Sequence, residues 1–104
     1  AVLTAVMNVN LRALRDRAPE HQALTRMTEV ASLLTGRPDA TPEEAIGWLQ
    51  DLTTALSIPG LASYGLDDDE IAEVVAAAQK ASSMRGNPIE LTDQEVSEIV
   101  TRSL

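Results

Sequence analysis

Apolar residues recur along most of this chain at three- and four-residue steps, the spacing that lines up one face of a helix. Leu3, Val6, Met7, Asn10, Leu11 and Leu14 share such a face and predict a first helix from about Val2 to Arg15. Arg12, Arg15 and Arg17 gather towards its C-terminal end, where cations suit the helix dipole. Pro19 and Glu20 are expected to open a second helix, with proline in its tolerated first turn. Its stripe is Ala23, Leu24, Met27, Val30, Ala31 and Leu34, and Gly36 stands where a C-cap belongs.

The third helix has the clearest start, in "ATPEEAIGWLQDL". Thr41 is placed as N-cap, Pro42 as the first helical residue and Glu44 as the third, a capping box. Ile46, Leu49, Leu52 and Leu56 are its expected buried face, ending before Ser57-Ile58-Pro59-Gly60. Asp67 and Glu70 repeat the capping pattern ahead of Ile71, Val74, Val75 and Ala78. Thr92 and Glu95 repeat it again ahead of Val96, Ile99 and Val100. No stretch alternates long enough to predict a strand. The reading is a single all-α domain over residues 1–104, five helices in a bundle-like arrangement.

Composition narrows the functions such a domain can serve. Apolar residues are 44% of the chain and aromatic ones 2%, so the core must come from aliphatic side chains and methionine. There is no Cys, which excludes disulfides, thiolate metal sites and cysteine catalysis. A cytoplasmic location is the corresponding expectation. The net charge of −8 is uneven, +1 up to Ala40 and −9 from Thr41 onward. An acidic surface repels phosphate, so neither nucleic acid nor an anionic membrane is an expected partner. No apolar run reaches the roughly 20 residues of a membrane span. The chain opens on Ala1 and directly in an apolar pattern with no cap, which leads us to expect a missing upstream segment.

Candidate chemistry is sparse. The run Asp67-Asp68-Asp69-Glu70 lacks the spacing and glycine of a calcium loop and reads as an acidic helix start. His21 is the single histidine, too few for a transition-metal site, and reads as a surface residue. No phosphate-binding glycine motif is present. Ser82 and Ser83 have neither a nucleophile elbow nor a histidine partner. What stands out is the segment Ser82-Ser83-Met84-Arg85-Gly86-Asn87-Pro88 between the last two helices. Gly86 permits unusual backbone angles, Pro88 pushes Asn87 out of the helical region, and Asn87 can bond nearby backbone. An ordered loop follows, serving either to connect helices or to face a ligand.

"ASSMRGNPIELTDQEVSEIV", Ala81 to Val100, resembles the C-terminal signature of the iron-dependent (group III) alcohol dehydrogenases. That signature is a serine-rich loop, then Gly-Asn-Pro, then a final helix capped by Thr. "AVLTAVMNVNLRAL" is similar to the long helix that follows the family's last metal-binding histidine, and the segments between run in the family's order. The resemblance implies the end of the helical domain shared with dehydroquinate-synthase-like proteins. It implies a parent enzyme with an N-terminal NAD(P) domain and a divalent metal, iron or zinc, held by one Asp and three His. There the metal polarises the oxygen of an alcohol, aldehyde or ketone while hydride moves to or from the nicotinamide.

No catalytic, cofactor or metal residue is carried onto this chain by the resemblance, and the isolated chain is expected to be inactive. What is carried over is a substrate-pocket wall at Ser83, Met84, Arg85, Gly86 and Asn87, with Ser83 or Met84 limiting alcohol size. The implied partners are the missing N-terminal part, a small alcohol or aldehyde, and a second copy joined through an exposed first helix. The other reading is a free-standing helical interaction module without catalysis.

Overall fold

A computed structural model describes the whole chain, Ala1–Leu104. It contains five α-helices and no strand: α1 (Val2–Arg17), α2 (Gln22–Thr35), α3 (Pro42–Ala55), α4 (Ile71–Lys80) and α5 (Asp93–Arg102). Three short 3-10 turns, Leu61–Tyr64, Asp68–Glu70 and Ser82–Gly86, fill the connections. The all-α expectation and the helix count hold.

α2 packs along α3, α4 packs along α5, and α1 lies between the two pairs. The central helix can do this because its contact face is small. Ala5, Val9 and Ala13 pack with Val75 of α4, Leu91 of the loop, and Val96 and Ile99 of α5. A second cluster joins Ala31, Ala40 and Ala45, with Met7 of α1 and Leu34 against it. Small alanine side chains at the crossings allow helix axes to come close. Val9 and Leu14 are fully buried, each side chain stabilising the fold by about 1.5–3 kcal/mol.

The helix ends follow local chemistry. The Thr92 side chain accepts from the Glu95 N–H at 3.1 Å, and the Glu95 carboxylate accepts from the Thr92 N–H at 2.9 Å. At α3 the Thr41 N–H donates to Glu44 at 3.2 Å. Gly36 ends α2 in the left-handed region at φ 73, as expected of a C-cap glycine. After α3 that role falls to Ser57, at φ 54.

Four expectations need correction. α2 begins at Gln22, not at Pro19: Pro19 and Glu20 form a turn, and His21 caps the helix by accepting from the Ala23 N–H on Nδ1 at 3.0 Å. The ring nitrogen satisfies one of the orphan first-turn donors, so the helix starts after it. Leu3 and Val30 lie on exposed surface; the rest of the expected α1 face holds, with Asn10, Leu11 and Leu14 buried, and Ala5, Val9 and Ala13 are buried beside it. On α3 only the first half of the expected face is covered. Ile46 is buried, whereas Leu52 and Leu56 are exposed along with Trp48. Similarly the Asp67–Glu70 capping box opens a 3-10 turn, which then feeds α4.

The outline is flat, 42 × 33 × 21 Å. A compact monomer of 11.1 kDa exposes about 5,650 Å². This chain exposes 6637 Å², about 1,000 Å² more than that scaling gives. Exposed apolar surface is concentrated on α3 and the segment that follows it. From Ala45 to Leu66 the one charged residue is Asp51, and Trp48, Leu52, Leu56, Ile58 and Tyr64 of this segment are exposed. α1, by contrast, exposes large apolar side chains only at Val2 and Leu3. No helix is long and apolar enough to cross a membrane.

Candidate functional site

The segment from Ala81 to Leu91 crosses one end of the helix layer, between α4 and α5. Ala81 is extended (φ −67, ψ 134) and stops α4. The chain then makes a 3-10 turn closed by bonds from Met84 N–H to Ala81 O and from Asn87 N–H to Met84 O, both 3.1 Å. Asn87 returns to the extended region at φ −67, ψ 140, as the following proline demands.

Asn87 is the anchor of the loop. Its amide meets that of Asn10, on buried α1, in two reciprocal bonds. Asn10 Nδ2 donates to Asn87 Oδ1 at 2.8 Å, and Asn87 Nδ2 donates to Asn10 Oδ1 at 2.8 Å. Asn87 Nδ2 also donates to the Ile89 carbonyl at 2.6 Å. Sequence reasoning counted Asn10 as one position of an apolar stripe. The signal was there nonetheless: a polar side chain in a buried stripe requires a polar partner.

The loop is clamped on its exit side as well. Gln79 Nε2 donates to the Leu91 carbonyl and to Asp93, both at 3.0 Å. Arg17 donates to the Glu90 carbonyl at 2.9 Å and forks onto Glu95 at 2.9 and 3.0 Å. Bonding to Arg17, aided by the Thr92 N–H, holds the Glu95 carboxyl down at about 2.

One expectation about the loop fails. Gly86 does not take a positive φ, and a Cβ there would meet nothing within 4 Å. The shape is held by Asn87, Pro88 and the bonds to Asn10, with no backbone angle that requires glycine.

Of the residues singled out in the sequence, Met84, Arg85 and Asn87 line a surface groove of about 630 Å³, with Lys80, Glu90 and Leu91 among the others. Ser83 and Gly86 line a shallower groove of about 380 Å³ on the neighbouring side, which Met84 and Asn87 also border. Met84 is half-buried and packs on the core, while Ser83 and Arg85 are exposed. Lys80, Gln79 and Glu90 were not foreseen as part of this surface; only the fold brings the end of α4 beside the start of α5.

A metal would find no ligand set within these residues. No three of the His, Cys, Asp and Glu side chains converge, and His21 Nδ1 is occupied as a helix cap far along the chain from the loop. The acids at Asp67–Glu70 cap a turn.

No curated protein and no solved structure matches the chain. A family model does, over residues 1–104, and it describes the C-terminal part of the Fe-containing alcohol dehydrogenases. The all-helical architecture agrees with that region of the family. Carrying the match from its first residue to its last, the chain belongs to the Fe-containing alcohol dehydrogenase family, as part of its C-terminal helical region.

Proposed function

We propose that this chain is the C-terminal helical part of an NAD(P)-dependent alcohol dehydrogenase that interconverts alcohols with aldehydes or ketones. The metal, iron or zinc, and the nicotinamide would be held by residues outside these 104. What the chain contributes is a shaped wall of the substrate cleft, made by Ser83, Met84, Arg85, Gly86 and Asn87. The observation that carries this is the Asn10–Asn87 pair, which ties an otherwise exposed loop to the most buried helix. That anchor gives the loop the fixed shape that a wall setting substrate size requires.

The wall is chemically mixed. Met84 offers a polarizable apolar surface, Arg85 and Lys80 offer cations, and Glu90 an acid. Such a surface orients a small polar substrate and excludes water on one side. The uncovered face of α3 is a seat for the rest of the parent enzyme, being apolar and nearly free of charge.

The test has two parts. The isolated chain, given NAD(P), ferrous or zinc ion and short alcohols, should yield no reduced nicotinamide. In a polypeptide that also carries the α/β domain, Met84→Trp should lower kcat/KM for branched alcohols about ten-fold or more while sparing ethanol, the scale of one misfit group in a pocket. Equal kcat/KM ratios for all alcohols in Met84→Trp and wild type would remove the loop from the cleft.

A further inference from the structure

Most of the positive charge in this chain is already spent. Arg12 and Arg102 both pair with Glu98, Arg15 with Glu43, Arg17 with Glu95 and Arg37 with Glu44. Of the eight cations, Arg26, Lys80 and Arg85 have no carboxylate partner. Lys80 and Arg85 line one groove, that of about 630 Å³ beside the loop. They stand in the acidic half of the chain, which holds three cations against twelve acids from Thr41 onward. Two of those three cations are therefore free, and at the same place.

The backbone of this groove is one-sided as well. The carbonyls of Ile89, Glu90 and Leu91 each accept from a side chain, Asn87 at 2.6 Å, Arg17 at 2.9 Å and Gln79 at 3.0 Å. The N–H groups of the same three residues have no acceptor within the chain. All three residues line the groove. A sheet edge offers free donors and free acceptors together, so an added strand fits this segment poorly. A ligand rich in acceptors fits it well, since each free donor needs one. Glu90 is the one acid on the groove wall; it offsets one cation and leaves the other.

We infer that this groove is an oxyanion-binding site. It takes the carboxylate or phosphate group of a small molecule between Lys80, Arg85 and the N–H groups of Ile89, Glu90 and Leu91. Arg85 supplies a planar fork that matches two oxygens, and Lys80 supplies a point charge. The site is local, and the acidic surface around it still repels a polyanion. It rests on the groove alone and does not require the dehydrogenase reading.

The 104-residue chain can be titrated with sodium phosphate and, separately, with sodium succinate, at constant ionic strength, and followed by amide NMR. Saturating shifts centred on Ile89, Glu90 and Leu91 are expected. Arg85→Gln should weaken binding about ten-fold, the scale of one hydrogen bond to a charged group. Glu90→Gln should tighten it. Arg26→Gln removes the third free cation, on α2, and should change nothing. Saturation by phosphate alone assigns a phosphate-bearing ligand and saturation by succinate alone a carboxylate-bearing one; either supports the site. Shifts that do not saturate, that spread over the surface, or that weaken as much in Arg26→Gln as in Arg85→Gln overturn it. That failure would leave the dehydrogenase reading standing, and an upstream gene that encodes no dehydrogenase would leave the oxyanion site standing.

Discussion

Asn10 and Asn87, 77 residues apart, exchange two amide hydrogen bonds of 2.8 Å. The pair joins the buried central helix to the loop that the sequence singled out. A buried amide left without its partner destabilises by about 1–3 kcal/mol, more than an ordinary hydrogen bond contributes. Asn10→Ala and Asn87→Ala should therefore each lower stability by about that amount, with Asn87→Ala the larger because it also frees the Ile89 carbonyl. The double variant should lose less than the sum of the two. Denaturant titration of all four proteins measures this, and strictly additive losses would show that the pair does not act as one unit.

Glu95 links the exit of the loop to α1. Its folded pKa of about 2 lies below the ordinary 4.5 because Arg17 and the Thr92 N–H favour the carboxylate. The sign follows from that depression: the stabilisation is complete above the ordinary value and disappears as pH falls from about 5 towards 2. Glu43 and Glu98 are depressed in the same direction, by Arg15 and Arg12 respectively. Glu95→Gln should melt below wild type at pH 7, and the gap in Tm should close as pH approaches 2. A gap that stays constant across that range would mean that the charge of Glu95 contributes nothing.

Gly60 is required by space and not by backbone angle, since its φ is an ordinary −77. A Cβ placed there would stand 2.1 Å from the Leu104 carbonyl oxygen. Beside it, the Leu61 N–H donates to the Ser103 carbonyl at 2.7 Å and the Ala62 N–H to the Leu104 carbonyl at 3.3 Å. Gly60→Ala should push the final residues away and destabilise by about 1–3 kcal/mol, the range for an overpacked contact. Faster amide exchange at Leu61 would localise the effect there; unchanged exchange at this site would argue that the turn does not depend on it.

The exposed stripe of Trp48, Leu52 and Leu56 should make the isolated chain associate. The surplus surface of about 1,000 Å² exceeds the roughly 800 Å² per partner that a standard interface buries. Light scattering should give a mass above 11.1 kDa at tens of micromolar, a concentration range set by weak interfaces of this size. Leu52→Lys with Leu56→Lys should restore the monomer. A wild-type monomer that binds no hydrophobic dye would favour a self-contained interaction module over a part of a larger enzyme.

Most of the helix plan could be read from the chain because caps and breakers are local. Thr41, Thr92, Gly36 and the Ser57–Gly60 cluster act on their own few residues, and each marks an end in the structure. His21 escaped notice because imidazole is a less usual cap, yet it does the same work. What could not be read depends on the placement of whole helices. The stripe of α3 is uniform from Ile46 to Leu56, and only the packing of whole helices decides that Ile46 is buried while Leu52 and Leu56 are bare. The loop was recognisable from Gly-Asn-Pro, but its anchor lies on another helix, and glycine at position 86 has no conformational need in this fold.

The most direct measurement is to read the coding DNA in frame upstream of the Ala1 codon. Membership of the Fe-containing alcohol dehydrogenase family as a C-terminal part leads us to expect a glycine-rich α/β domain there, followed by an Asp and clustered His. A start codon immediately before Ala1 would contradict that expectation and leave a short helical protein whose loop and groove serve some other ligand.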